Sequence, residues 1–125
     1  MKKIGILGST GSIGTQALDI IRKNNNFKVS YLSSYANVDL LINQTKEFKP
    51  TAICIVDSKK VDILHQNLNS NDIEILSGEE GLKELSCRED IDLMLNALVG
   101  YSGMIHTFLA AEKGINIALA NKESL

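Results

Sequence analysis

The sequence predicts an α/β fold, a single domain built on a doubly wound, mostly parallel sheet. Three observations carry this expectation. Short apolar runs alternate with amphipathic helical segments along the whole chain, the order that buries a parallel sheet between two helical layers. The run at 51–56, TAICIV, is continuous and β-branched, as strands covered on both faces are. A glycine-rich stretch, Gly8-Ser9-Thr10-Gly11-Ser12-Ile13-Gly14, separates the first apolar run from the first helical one, where such a sheet makes its first crossover. The chain has 125 residues, 44% hydrophobic and 22% charged, which suits one soluble domain with a packed core.

The elements follow in order. A first strand covers about Lys3–Leu7, and a helix runs from Ser12, a suitable N-cap, to about Asn24. The Asn24-Asn25-Asn26 cluster ends it. A second strand covers about Phe27–Ser33. The turn Ser34-Tyr35-Ala36-Asn37 then leads into a helix over Val38–Phe48 with Asn37 as its cap, and Pro50 closes the unit. The third strand is Thr51–Val56, and Asp57 or Ser58 caps a helix reaching about Leu68. A turn at Asn69-Ser70-Asn71-Asp72 precedes a short strand over Ile73–Leu76. Ser77-Gly78-Glu79-Glu80 reads as a capping box opening a helix to about Leu85. Ile91–Leu98 is a further strand. A second glycine turn, Val99-Gly100-Tyr101-Ser102-Gly103, introduces a helix over Met104–Lys113, and Gly114 caps its end. Ile115–Ala120 is the last strand, followed by Asn121-Lys122-Glu123-Ser124-Leu125. Repeats, linkers and low-complexity tracts are absent from the sequence. A strand and a polar tip at the ligand edge of such a sheet read as the first domain of a longer protein.

The first glycine turn carries the chemistry. Strand, glycine turn and helix in that order form a phosphate cradle, because unpaired N–H groups of the first helical turn face an anion and the helix dipole favours it. Gly8 turns the backbone off the strand, Gly11 lets it approach a pyrophosphate, and Gly14 lets the helix pack closely. The spacing G-x-x-G-x-x-G is a variant of the G-x-G-x-x-G dinucleotide fingerprint, and against the alternative of an ordinary tight turn the flanking strand and helix point to a Rossmann-like domain. An NAD-binding domain places an Asp or Glu about 20 residues further on, at the end of strand two, to hold the ribose hydroxyls. The corresponding stretch, Ser33-Ser34-Tyr35-Ala36-Asn37, has no carboxylate. That favours NADPH over NADH, since a 2′-phosphate meets no repulsion. Ser34 and Asn37 offer hydrogen bonds and Tyr35 a ring for adenine. Lys59 and Lys60 supply positive charge if strand three neighbours strand two.

Other residues exclude more than they assign. The net charge of −2 argues against nucleic-acid binding through overall charge. No apolar run approaches a membrane span. Cys54 and Cys87 have no metal spacing, and Cys54 reads as a small core residue in a reducing cytosol. His65 and His106 lie on helices without metal-ligand partners, and Glu79 and Glu80 read as helix-start charge. Charge alone leaves Asn121-Lys122-Glu123-Ser124 open between a solvated turn and a site for nicotinamide ribose and an anionic substrate.

Three blocks carry a resemblance: Ile6-Leu7-Gly8-Ser9-Thr10-Gly11-Ser12-Ile13-Gly14, Asn96-Ala97-Leu98-Val99-Gly100-Tyr101-Ser102-Gly103, and Ala118-Leu119-Ala120-Asn121-Lys122-Glu123-Ser124-Leu125. In order and spacing the chain resembles the N-terminal domain of the 1-deoxy-D-xylulose 5-phosphate reductoisomerase family along its whole length. The resemblance implies NADPH as cofactor, with Thr10, Gly11, Ser12, Ile13, Asn37, Asn121 and Glu123 contacting it and Lys122 contacting substrate. The chain departs from the family in carrying Tyr35 and Ala36 where glycine and a basic residue are usual. The implied reaction rearranges 1-deoxy-D-xylulose 5-phosphate and reduces it to 2-C-methyl-D-erythritol 4-phosphate, an isoprenoid precursor, in a cytoplasmic or plastid-type homodimer. The resemblance also implies a divalent metal, Mg2+ or Mn2+, whose ligands, like the catalytic residues, lie beyond residue 125. Two other readings compete: a semialdehyde dehydrogenase-like reductase, which shares the glycine turn but not the final block, and a non-catalytic nucleotide-binding module.

Overall fold

The computed structural model describes residues 1–99 and 102–119. Six strands, β1 (Lys2–Leu7), β2 (Phe27–Ser34), β3 (Ala52–Ile55), β4 (Glu74–Ser77), β5 (Leu93–Asn96) and β6 (Ile117–Leu119), alternate with five helices, α1 (Ser12–Arg22), α2 (Val38–Phe48), α3 (Val61–Asn67), α4 (Gly78–Ser86) and α5 (Ser102–Glu112). The sheet order is β4-β3-β2-β1-β5-β6, and every pairing is parallel. The chain steps outward from β1 to β4, then returns to the other side of β1. Strand order therefore reverses between β1 and β5, which is where ligands bind in open α/β sheets.

Two apolar layers clamp the sheet. On one face Ile4, Ile6, Val29, Leu32, Ile53 and Ile55 pack with Leu18 and Ile21 of α1, Leu41 of α2 and Leu64 of α3. On the other face Leu7, Tyr31, Cys54 and Met94 pack with Leu82 and Leu85 of α4 and Ala110 of α5. Each fully buried Leu or Ile side chain contributes about 1.5–3 kcal/mol, so these layers, more than local propensity, hold the short strands in place.

β2 switches face partway along. Ile4 pairs with Val29 but Gly5 pairs with Tyr31, so Ser30 is an extra residue opposite β1. Simple alternation would send Val29 and Tyr31 to one face. The bulge at Ser30 instead sends Val29 and Leu32 to the α1–α3 layer and Tyr31 to the α4–α5 layer. The displaced Ser30 carbonyl accepts from Thr51 N at 2.9 Å and Thr51 Oγ1 at 3.0 Å.

Tyr31 explains Gly5. A Cβ at Gly5 would lie 2.2 Å from the Tyr31 ring, so only glycine lets that ring lie flat on β1. Tyr31 Oη is the one buried side-chain polar atom with no hydrogen-bond partner among the described residues, and burial raises its ionisation well above the usual tyrosine range. Tyr31→Phe is therefore expected to be neutral or to stabilise by up to about 1 kcal/mol, since it removes an unpaid desolvation. A thermal melt of the variant checks this, and a fall in midpoint would show that the hydroxyl has a partner.

Several boundaries differ from the sequence expectation. Ser12 is not the N-cap of α1; Gly11 holds that position with no side-chain cap. Ser77 holds the N-cap position of α4 but makes no side-chain cap bond, so the capping box does not form, and Glu80 pairs with Lys83 at 3.7 Å instead. Gly78 takes φ +74 at that start, a geometry the box pattern did not anticipate. The helix after β3 begins with a 3-10 turn, Ser58–Lys60, capped by Asp57 through Lys59 N at 3.3 Å, before α3 proper. β3 and β5 are four residues each, shorter than their apolar runs. Asn37 does cap α2, its Oδ1 accepting from Leu40 N at 3.3 Å, and Gly114 follows α5 at φ +73. Gly100 and Tyr101 of the second glycine turn, and the final block from Ala120 to Leu125, lie outside the described residues.

Candidate nucleotide-binding site at the carboxyl edge of the sheet

The first glycine turn sits at the point of strand reversal. Gly8 leaves β1 at φ +78, and a Cβ there would lie 3.1 Å from Ala97 O, just after β5. The turn is thus wedged against the neighbouring strand in a conformation that side chains avoid. Gly14 is tight for a different reason. Its Cβ would lie 2.3 Å from Gly8 O and 2.7 Å from Ser9 Cα, so it lets α1 close onto the turn itself rather than onto the sheet. Gly11 is exposed, and a Cβ there would meet only Gly8 O at 3.7 Å. Its outer face is open.

The start of α1 has no cap and no acidic residue in its first turn. Thr15 N reaches Gly11 O at 2.9 Å, while the N–H groups of Ser12, Ile13 and Gly14 have no acceptor among the described residues. Three free donors at the positive end of an eleven-residue helix make an anion site. A side-chain cap would take up one of these donors, so its absence at Gly11 leaves all three open.

Buried polar groups lock the turn to β2. Gly8 N donates to Ser33 Oγ at 2.9 Å, and Ser9 N donates to Ser33 O at 2.8 Å. Ser9 Oγ lies 2.7 Å from Gln44 Oε1 of α2, whose Nε2 donates to Ser9 O at 2.9 Å. Ser9, Ser33 and Gln44 are all buried, where each satisfied bond resists reorganisation. Sequence reasoning missed this network. Its one signal is Gln44, a polar residue in the buried stripe of α2 beside Leu41 and Thr45.

The predicted residues gather here as far as they are described. Thr10 Oγ1 lies 2.7 Å from Ser34 Oγ, which accepts from Asn37 N at 3.1 Å. This chain of contacts joins the glycine turn to the end of β2, where ribose recognition belongs. Ile13 is 40% exposed beside the open donors. Tyr35 is 68% exposed, so its ring is free to move over a ligand rather than fixed in the core. β3 does neighbour β2, and Lys60 Nζ donates to Ala36 O at 3.1 Å. A cavity of about 190 Å³ opens beside these groups, lined by Ser34, Tyr35, Val56, Leu82, His106 and the carboxylate of Glu79 among others. A larger hollow of about 600 Å³, lined by Met1, Phe27 and Phe48 among others, opens at the amino ends of β1 and β2, away from the free donors.

Across the reversal point Asn96 holds the second turn. Its Nδ2 donates to Gly103 O at 2.8 Å and Thr107 Oγ1 at 2.9 Å, and its Oδ1 accepts from Leu98 N at 3.1 Å. Asn121, Lys122 and Glu123 lie outside the described residues.

Two further titratable groups are built into the fold. His106 is 1% exposed and bonded to Ser86 Oγ at 2.8 Å; burial lowers its basicity against a smaller opposing pull from Glu79. Cys54 is buried, and desolvation pushes its thiol up to about 12, which removes it as a nucleophile. His65 is exposed. Among the described residues no three His, Cys, Asp or Glu side chains group closely enough to hold a metal ion.

Known proteins share this fold. The family profile described as 1-deoxy-D-xylulose 5-phosphate reductoisomerase matches residues 4–125. The enzyme of that name from Thermoanaerobacter pseudethanolicus (strain ATCC 33223 / 39E) is 48% identical over 126 residues, covering all of this chain and 32% of the relative. A crystal structure of DOX-P reductoisomerase in complex with NADPH, fosmidomycin and magnesium superposes with TM-score 0.92 at 40% identity, over all of this chain and 31% of that one. The Zymomonas mobilis enzyme in complex with NADPH gives TM-score 0.91 at 33% identity, over 99% of this chain and 33% of that one. The chain therefore spans about a third of the length of the relatives it matches. The match across nearly every residue sets aside a semialdehyde dehydrogenase-like origin: the chain belongs to the 1-deoxy-D-xylulose 5-phosphate reductoisomerase family.

Proposed function

We propose that this chain is the NADPH-binding part of a reductoisomerase that rearranges 1-deoxy-D-xylulose 5-phosphate and reduces it to 2-C-methyl-D-erythritol 4-phosphate, in isoprenoid biosynthesis. The observation that carries the reading is the uncapped start of α1, with three free N–H donors behind an open Gly11 at the strand-reversal point. The free donors of Ser12, Ile13 and Gly14 take the pyrophosphate, with Thr10 and Gly11 at the turn. Asn37 and Ser34 take the adenosine ribose, and the cavity walled by Val56 and Leu82 takes the adenine. When bound, NADPH supplies the hydride. This chain's own residues anchor and orient the adenosine half through rigid backbone, fixed by Ser33 and Gln44, so that ordering costs little on binding.

Asn121 and Glu123 complete the cofactor contacts and Lys122 meets the substrate in this reading, by their place in the family's final block. In this reading the Mg2+ or Mn2+ ligands and the catalytic groups belong to the part of the enzyme beyond residue 125. The assembled enzyme is a homodimer in the cytoplasm, or in a plastid-type organelle. Partners are small molecules rather than nucleic acid or membrane; among the described residues no helix is long and apolar enough to cross a membrane.

The test is titration and assay of the 125-residue chain. It is expected to bind NADPH and to give no turnover of 1-deoxy-D-xylulose 5-phosphate. Turnover by the chain alone would remove the division of labour, and failure to bind NADPH would remove the cofactor role.

A further inference from the structure

We propose that Lys60, delivered from the start of the segment after β3, is the residue of this chain that selects NADPH over NADH by receiving the 2′-phosphate. The inference rests on the cofactor reading above and adds the residue that sets its specificity. The turn after β2 carries no basic residue: Tyr35, Ala36 and Asn37 follow Ser34 directly. Yet an ammonium is present there. β3 lies beside β2, and Val56 N and Asp57 N bond to Ser34 O at 3.0 Å and Tyr35 O at 2.7 Å, which draws the two strand ends together. The 3-10 turn Ser58–Lys60 then brings Lys60 Nζ to 3.1 Å from Ala36 O. The Ala36 carbonyl also accepts from Val38 N at 2.9 Å, so the side chain is tied to a fixed point of the turn.

Lys60 has a spare charge. One of its three donors is used on a neutral carbonyl, and it makes no ion pair with a described residue. The side chain is half-buried, so its rotamers are already restricted before a ligand arrives, which lowers the ordering cost of a contact. The nearby Asp57 carboxylate would repel a phosphate, but it is turned back onto Lys59 N at 3.3 Å as the cap of the 3-10 turn. Lys59 is exposed with no such tie. A dianionic phosphate on the ribose recognised at the end of β2 thus finds one anchored cation, supplied by the adjacent strand. NADH offers Lys60 no anion, so the charge discriminates between the two cofactors.

Binding of NADPH, NADH, 2′,5′-ADP and 5′-AMP to the intact protein and to Lys60→Gln and Lys60→Arg tests this. The parent is expected to prefer NADPH and 2′,5′-ADP over their partners lacking the phosphate. Lys60→Gln should weaken both phosphate-bearing ligands about tenfold while NADH and 5′-AMP change less than twofold. Lys60→Arg should keep the preference. Equal weakening of all four ligands by Lys60→Gln would make Lys60 a structural peg for Ala36 and overturn the proposal, as would an unchanged NADPH affinity. A parent that binds none of the four would overturn the cofactor reading itself, a result distinct from loss of discrimination alone.

Discussion

Gly11→Leu is expected to lower NADPH affinity at least 100-fold while the protein stays folded. The two halves of that expectation have separate grounds. Gly11 holds φ −79 and ψ 178, extended backbone open to any residue. Its would-be Cβ touches nothing closer than Gly8 O at 3.7 Å, so the fold meets no clash. The loss of N-cap glycine costs roughly 1 kcal/mol at most. A leucine side chain there stands over the free donors of Ser12 and Ile13 and keeps a pyrophosphate from reaching them. A 100-fold loss corresponds to about 2.7 kcal/mol, within the worth of two or three charge-assisted bonds. Equal NADPH titration curves for variant and parent, with matching circular dichroism, would remove the phosphate-cradle assignment.

Gly14→Ala is expected to destabilise the protein by about 2 kcal/mol, and here two effects oppose each other. Inside a helix alanine is favoured over glycine by about 1 kcal/mol, so propensity alone predicts a gain. The methyl group, however, would lie 2.3 Å from Gly8 O and 2.7 Å from Ser9 Cα. Both atoms are backbone, and Ser9 is pinned by Ser33 and Gln44, so neither side can yield cheaply. Overpacking of this kind costs about 3 kcal/mol, and it wins. NADPH affinity should fall as well, because relief of the clash pushes α1 away from the turn. A thermal melt and a titration check both parts. A rise in the thermal midpoint would mean that the turn can move, contrary to its hydrogen bonding.

These two glycines show how far the sequence reached. The pattern G-x-x-G-x-x-G located the turn, its neighbours gave the strand and the helix, and the alternation of runs gave a parallel sheet. Asn37 as the cap of α2, Gly114 after α5 and Cys54 in the core were all legible, because each depends on a local residue type at a local position. What the letters concealed were facts of three-dimensional approach. Gly14 is small because of Gly8 and Ser9, not because of the sheet. Gly5 is small because Tyr31, 26 residues later, lies on it. The bulge at Ser30 leaves no mark in the apolar pattern, since β2 is buried along most of its length and either face accepts its residues. Ser12 and Ser77 have the composition of caps, yet neither caps: free donors remain at α1, and Gly78 at positive φ changes the start of α4. Of the candidate site, the turn and Asn37 were readable. The lock through Ser9, Ser33 and Gln44 was not, for it joins residues 24 to 35 positions apart.

The place of β1 has a consequence in time. It lies between β2 and β5, and its second partner begins at Leu93. On a ribosome adding roughly 5–20 residues per second, Leu7 waits on the order of 5–20 seconds before β5 is made. Throughout that interval Gly5, Ile6 and Leu7 can pair on one side only, an open apolar edge of the kind that recruits stray strands. The nascent chain is thus most vulnerable to misassembly late, after four strands have formed, and a chaperone that shields it would have to act on the newly exposed side of its first strand.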